Sequence, residues 1–181
     1  MAMGFLIKWM GGYNRAQTYL GGYNMGELIF NWHPTLMVTG LIFCGTCSML
    51  SYRILPFPKP LTKSIHALLH TAAMIFIIIG LACVITGNNY KDHNEADDEY
   101  YSTGYYANFV SLHSFIGITT CIMYALNYFF GLFYFLMPGF SVEARQAYMP
   151  NHMFFGIFLL IAATCASITG KILRLYDPYV L

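Results

Sequence analysis

Four long apolar runs, at residues 32–55, 61–87, 109–137 and 148–173, leave this chain few ways to fold. A helix needs about 20 mostly apolar residues to cross the hydrocarbon core of a bilayer, whereas a spanning strand needs only about 10. Runs of this length therefore predict membrane helices. Each ends at a recognisable break: Pro56, Pro58 and Pro60 after the first, the polar stretch 88–108 after the second, and Pro138-Gly139 after the third. Proline removes a backbone donor and stops a helix, and Pro-Gly marks a turn. Only 9% of the 181 residues are charged, against about 25% in an ordinary soluble domain, so no aqueous surface can be built around these helices. The expected fold class is all-α transmembrane, an antiparallel four-helix bundle over residues 31–173. Residues 1–30, which carry Gly-Gly-Tyr-Asn at 11–14 and again at 21–24, read as a loop or interfacial segment, and 174–181 as a tail. Two copies of that string are too few for a repeat architecture.

The formal net charge of +1 gives no reason to expect a nucleic acid or an acidic substrate. The five cysteines, Cys44, Cys47, Cys83, Cys121 and Cys165, all fall inside apolar runs. They behave as small hydrophobes rather than as a disulfide framework, which favours even counts and loop positions. No cleavable leader pattern opens the chain, and no Asn-x-Ser/Thr acceptor occurs in it.

Four of the six histidines recur with a regular placement: His33, His66, His113 and His152 each lie near the start of an apolar run. In an up-down bundle successive helix starts alternate between membrane faces. His33 and His113 then share one face, and His66 and His152 the other. Titratable groups inside a membrane are costly and mark function. Paired imidazoles facing one another across a bundle are suitable axial ligands for haem iron, and with both axial positions filled the expected chemistry is outer-sphere one-electron transfer. Gly117 and Gly156, each four residues after a histidine, lie on the same helical face and leave room for a porphyrin. Small residues also serve simply to let membrane helices approach.

The strings Phe30-Asn31-Trp32-His33-Pro34, Lys63-Ser64-Ile65-His66, Ser111-Leu112-His113-Ser114 and Met149-Pro150-Asn151-His152, in this order and at these helix ends, resemble the cytochrome b561 family of ascorbate-dependent transmembrane reductases. The resemblance runs from about residue 30 to 173. It implies two non-covalent b-type haems, one between His33 and His113 and one between His66 and His152. The absence of a C-x-x-C-H attachment string agrees with that.

The resemblance further implies an ascorbate site on the cytoplasmic side built from Arg53, Lys59, Lys63 and Arg145. Such charges suit a monoanion, although positive residues in a short loop also mark the cytoplasmic face. On the opposite side, the polar stretch 88–108 carries Asp92, His93, Glu95, Asp97, Asp98 and Glu99. His93 and Asn108 resemble residues that relatives place near the electron acceptor, ferric iron or a ferric chelate, or monodehydroascorbate. A solvated hydrophilic loop is the plainer reading of the same charges.

Two further strings invite over-reading. Cys44-Gly45-Thr46-Cys47 has the spacing of a redox motif but falls mid-span, without the strand such motifs follow. His66 and His70 stand one helical turn apart, yet His70 is expected to hydrogen-bond or pack beside the haem rather than ligate it. The family fold has six helices, and two peripheral helices are expected to be lacking here. A second copy of the chain or a membrane partner would then cover the exposed core. The favoured function is electron transfer from ascorbate through two haems. The alternative is a non-catalytic membrane subunit serving assembly or anchoring. The chain is expected to be an integral, multi-pass protein, and no feature selects among vesicle, lysosomal, endosomal and plasma membranes.

Overall fold

The computed structural model describes the backbone of residues 28–95 and 109–176, and the side chains of 28–89 and 109–173. Its four rods are α1, Ile29–Ile54; α2, Lys59–Glu95; α3, Leu112–Leu136; and α4, Val142–Tyr176. All four are long and apolar enough to cross a membrane, the shortest having 25 residues. At about 1.5 Å per residue even that one reaches roughly 37 Å, more than the hydrocarbon core. The protein is an integral membrane four-helix bundle, and no strand occurs among the described residues.

Two boundaries differ from the sequence reading by more than about one helical turn. α2 does not stop at Gly87 but continues through the first part of the polar stretch to Glu95. Nothing there breaks a helix, and polar residues extend one readily once it leaves the apolar layer. α4 starts six residues before position 148. The Ser141 hydroxyl accepts the Ala144 N–H at 3.2 Å, and Glu143 sits in the first turn, where the helix dipole favours a negative charge. This cap outweighs Pro150, which the helix carries in its interior.

α3 begins where the sequence placed its histidine because Ser111 and Ser114 form a reciprocal capping box, each hydroxyl accepting the other's backbone N–H at 3.2 and 3.0 Å. The turn into α4 uses Gly139 at φ +120°, a backbone conformation that glycine adopts without a Cβ penalty.

The helices pair as two antiparallel hairpins, α1–α2 and α3–α4. In the first, a Cβ on Gly40 would lie 3.0 Å from Ala73 O and Phe76 Cβ, one on Gly80 3.0 Å from Met37 Sδ, and one on Gly87 3.1 Å from Phe30 Cβ. Missing side chains thus set how closely α1 and α2 approach, as small residues commonly do in membranes. Where the hairpins meet, Leu41 and Cys44 of α1, Ala73 and Ile77 of α2, Cys121 and Tyr124 of α3, and Leu159 and Ala163 of α4 form one buried cluster. Leu68, Ile78, Phe115, Phe154 and Ile161 are exposed on the outside, the surface that lipid covers.

α1 is not uniform. Residues Val38–Cys44 form a π-helical segment between two α-helical stretches. A π turn takes in one extra residue, which turns everything beyond it by about 100° relative to an ideal helix. Gly40 and Ser48, about 80° apart on an ideal helix, consequently both face α2. α3 likewise ends in a π-helical turn, Leu132–Leu136.

Candidate functional site

The fold brings the four histidines together as two pairs. The ring centroids of His33 and His113 are 6.2 Å apart with an interplanar angle of 83°. Those of His66 and His152 are 6.3 Å apart at 68°. Two metal–imidazole bonds of about 2 Å, with a ring radius of about 1 Å on each side, place such centroids roughly 6 Å apart. Both pairs therefore stand at the separation of two axial ligands on one ion.

Each ring is held through the nitrogen that a metal does not need. His33 Nδ1 lies 2.9 Å from Gly80 O, and His113 Nδ1 2.8 Å from Ala166 O. His66 Nδ1 lies 3.0 Å from Ser48 O and 2.8 Å from Ser48 Oγ, and His152 Nδ1 3.1 Å from Asn127 Oδ1. A carbonyl oxygen only accepts, so Nδ1 carries the proton and donates in every case. Nε2 is then the basic nitrogen, oriented and made more electron-rich as second-shell partners do for metal-bound histidines.

These anchors follow one rule of register. Gly80 lies fourteen residues after His66, Asn127 fourteen after His113, and Ala166 fourteen after His152. Ser48 lies fifteen after His33, and the additional residue is the one the π segment of α1 takes in. Fourteen residues are about 21 Å of helix, which sets the two pairs toward opposite ends of the bundle. Every histidine is anchored within its own hairpin and faces a histidine of the other hairpin.

The space beside the rings suits a flat macrocycle. A Cβ on Gly117 or Gly156 would meet nothing within 4 Å, although neither residue is exposed. Elsewhere contact is tight: a Cβ on Gly131 would be 2.9 Å from His152 Cε1, and one on Gly170 2.7 Å from His113 Cε1. The donor set, the spacing and the clefts all fit haem b. His70 is occupied differently. Its Nδ1 shares a hydrogen bond of 2.5 Å with the Tyr124 hydroxyl, and its ring stands edge-on to His66 at 4.6 Å.

The end of the bundle nearer His66 and His152 is basic. Arg53 closes α1, Lys59 opens α2 with Lys63 a turn later, and Arg145 lies in the first turn of α4. Among the described residues no ion pair engages these four, and the Arg145 Nε is buried without a hydrogen-bond partner. At the same end of the bundle Tyr134 stacks on both Phe140 and Tyr148 at 4.4 Å. Tyr148 and Phe135 in turn flank His152, at 6.1 and 5.3 Å. At the opposite end His93 belongs to the last turns of α2. Its side chain lies outside the described residues, as does Asn108.

Sequence reasoning did not single out Ser48, Asn127, Gly131, Gly170 or Tyr124. The fourteen-residue interval between histidine and anchor was the available signal, and it becomes visible only once the hairpin register is known.

Two facing imidazole pairs stacked along a four-helix membrane bundle point to the class of transmembrane b-type cytochromes. Within it, the family model for eukaryotic cytochrome b561 matches residues 32–176, and the chain belongs to that family. It is 36% identical over 176 residues to a human lysosomal membrane ascorbate-dependent ferrireductase, covering 94% of this chain and 64% of that protein. It is 36% identical over 150 residues to a probable ascorbate-specific transmembrane electron transporter of Oryza sativa subsp. japonica (82% and 58%). To a plasma membrane ascorbate-dependent reductase of Xenopus laevis it is 37% identical over 159 residues (84% and 51%). The chain thus spans between about half and two thirds of the length of these relatives.

Proposed function

We propose that the chain holds two b-type haems, one between His33 and His113 and one between His66 and His152, and that it passes single electrons across the membrane from ascorbate. The observation that carries this reading is the spacing of the two ring pairs, 6.2 and 6.3 Å, with every Nδ1 committed to an oxygen acceptor. His33 and His113 would hold one haem and His66 and His152 the other, and each haem would supply a one-electron iron couple there.

The protein's own residues supply orientation and charge. Arg53, Lys59, Lys63 and Arg145 draw the ascorbate anion to the cytoplasmic end, where the unpartnered Arg145 Nε offers a charge-assisted donor. Tyr148 and Phe135 keep water from the His152 ring. The acceptor on the far side is ferric iron, a ferric chelate or monodehydroascorbate, with His93 and Asn108 beside it. The names of the relatives, an ascorbate-dependent ferrireductase among them, support donor and acceptor alike.

An absorption spectrum of the purified protein before and after ascorbate tests the reading. Two haems per chain and an ascorbate-driven change in the haem bands are expected. A haem-free protein, or bands indifferent to ascorbate, would show instead a membrane subunit without this redox activity.

A further inference from the structure

The four imidazoles are anchored at equivalent register positions but not by equivalent groups. Gly80 O, Ala166 O and Ser48 O are main-chain carbonyls. All three lie within helices, and only Ser48 adds a side-chain group, its hydroxyl 2.8 Å from His66 Nδ1, beside its main-chain carbonyl. At the fourth position, Asn127, the acceptor is a side-chain amide oxygen 3.1 Å from His152 Nδ1. Asn127 is half-buried on α3, one turn before Gly131. Gly131 is the residue whose missing Cβ lets the same imidazole sit close to the helix. His152 is thereby fixed from two successive turns of α3, sterically by Gly131 and electronically by Asn127.

We propose that Asn127 is a positioning residue that sets the reduction potential at the His66/His152 site independently of the His33/His113 site. The inference rests on the haem pair proposed above. The physical basis is the basicity of the axial ligand. The more strongly Nδ1–H is drawn to its acceptor, the more electron density Nε2 offers the metal, and the more the oxidised state is favoured. A main-chain carbonyl cannot be changed by substitution, whereas the acceptor at 127 can. This site is therefore the one whose potential a single side chain can tune without moving the backbone.

The test is a spectroelectrochemical titration of the purified full chain, of His152→Ala to assign the components, and of two Asn127 variants. Asn127→Leu keeps the side chain's approximate volume and deletes the acceptor. Asn127→Asp puts a carboxylate in its place, and charged acceptors bind about twice as strongly as neutral ones. The component that is absent from His152→Ala should move upward in Asn127→Leu and downward in Asn127→Asp, while the other component stays in place. The expected size is about tenfold in the oxidised-to-reduced ratio at fixed potential, or about 59 mV for one electron. If the leucine variant does not accumulate, the aspartate variant decides alone. Two haems per chain whose components both stay put, or both move together, overturn the role of Asn127 and leave the haem pair standing. A wild-type chain with fewer than two haems overturns the pair, and the inference with it.

Discussion

Replacing Gly170 by alanine puts a methyl carbon 2.7 Å from Cε1, 2.8 Å from Nδ1 and 3.2 Å from Nε2 of His113. Carbon contacts settle at about 3.5–4.0 Å, so the imidazole must retreat by roughly 1 Å or α4 must move away from α3. Backbone movement is resisted, since Ala166 O on the same helix holds His113 Nδ1 at 2.8 Å. Retreat of the ring stretches that bond past useful length and carries Nε2 off the line to His33. Overpacking costs about 1–3 kcal/mol, and a lost hydrogen bond about 1 kcal/mol more. At about 1.4 kcal/mol per tenfold, haem affinity at the His33/His113 site should fall between roughly thirty-fold and several-hundred-fold. The assay is the haem-to-protein ratio of purified protein, expected to drop from two toward one, with the remaining haem still reduced by ascorbate. Gly117→Ala is the companion measurement. Its Cβ would meet no protein atom within 4 Å, so thermal stability without haem should be unchanged while haem content falls. A Gly170→Ala protein that keeps both haems at wild-type potentials and stability would refute the reasoning.

His113→Ala and His152→Ala should each remove one haem and leave the other, read from the haem ratio; loss of neither contradicts the pairing. Arg145→Ala removes a donor whose bond to an anion is worth about 1.5–3 kcal/mol, and should raise the ascorbate concentration for half-maximal reduction by roughly ten- to a hundredfold. Reduction by an uncharged small-molecule donor should be unaffected, and an equal loss with both donors would contradict a role in anion binding. Tyr124→Phe deletes the hydroxyl that holds His70 and should cost about 1–3 kcal/mol of stability, seen as a lower melting temperature with both haems retained. A loss of haem there would assign His70 a ligating role instead.

The topology, and with it the pairing of His33 with His113 and of His66 with His152, was legible because it follows from counting spans and noting which ends bear histidine. The anchors were not. Ser48 is a serine in an apolar run, and its meeting with His66 depends on the π segment at Val38–Cys44, which breaks the helical period a sequence reader assumes. Asn127 stands on a helix face chosen by tertiary register, and nothing adjacent to it in sequence points at His152. The start of α4 was misplaced because Pro150 is a louder local signal than the cap at Ser141. Arg145 consequently rides on a helix rather than in a loop.

The division of each imidazole pair between two hairpins carries a consequence for how the protein is made. The contacts that orient every ring lie inside its own hairpin, so α1–α2 and α3–α4 can each enter the membrane as a finished unit. Neither unit contains a facing pair. A group that bridges the rings can be bound only after the two units dock, and its binding free energy then counts as docking free energy. Starved of that group during synthesis, the chain would hold two well-formed halves on one tether, docked only through the apolar cluster around Leu41, Ala73, Cys121 and Leu159.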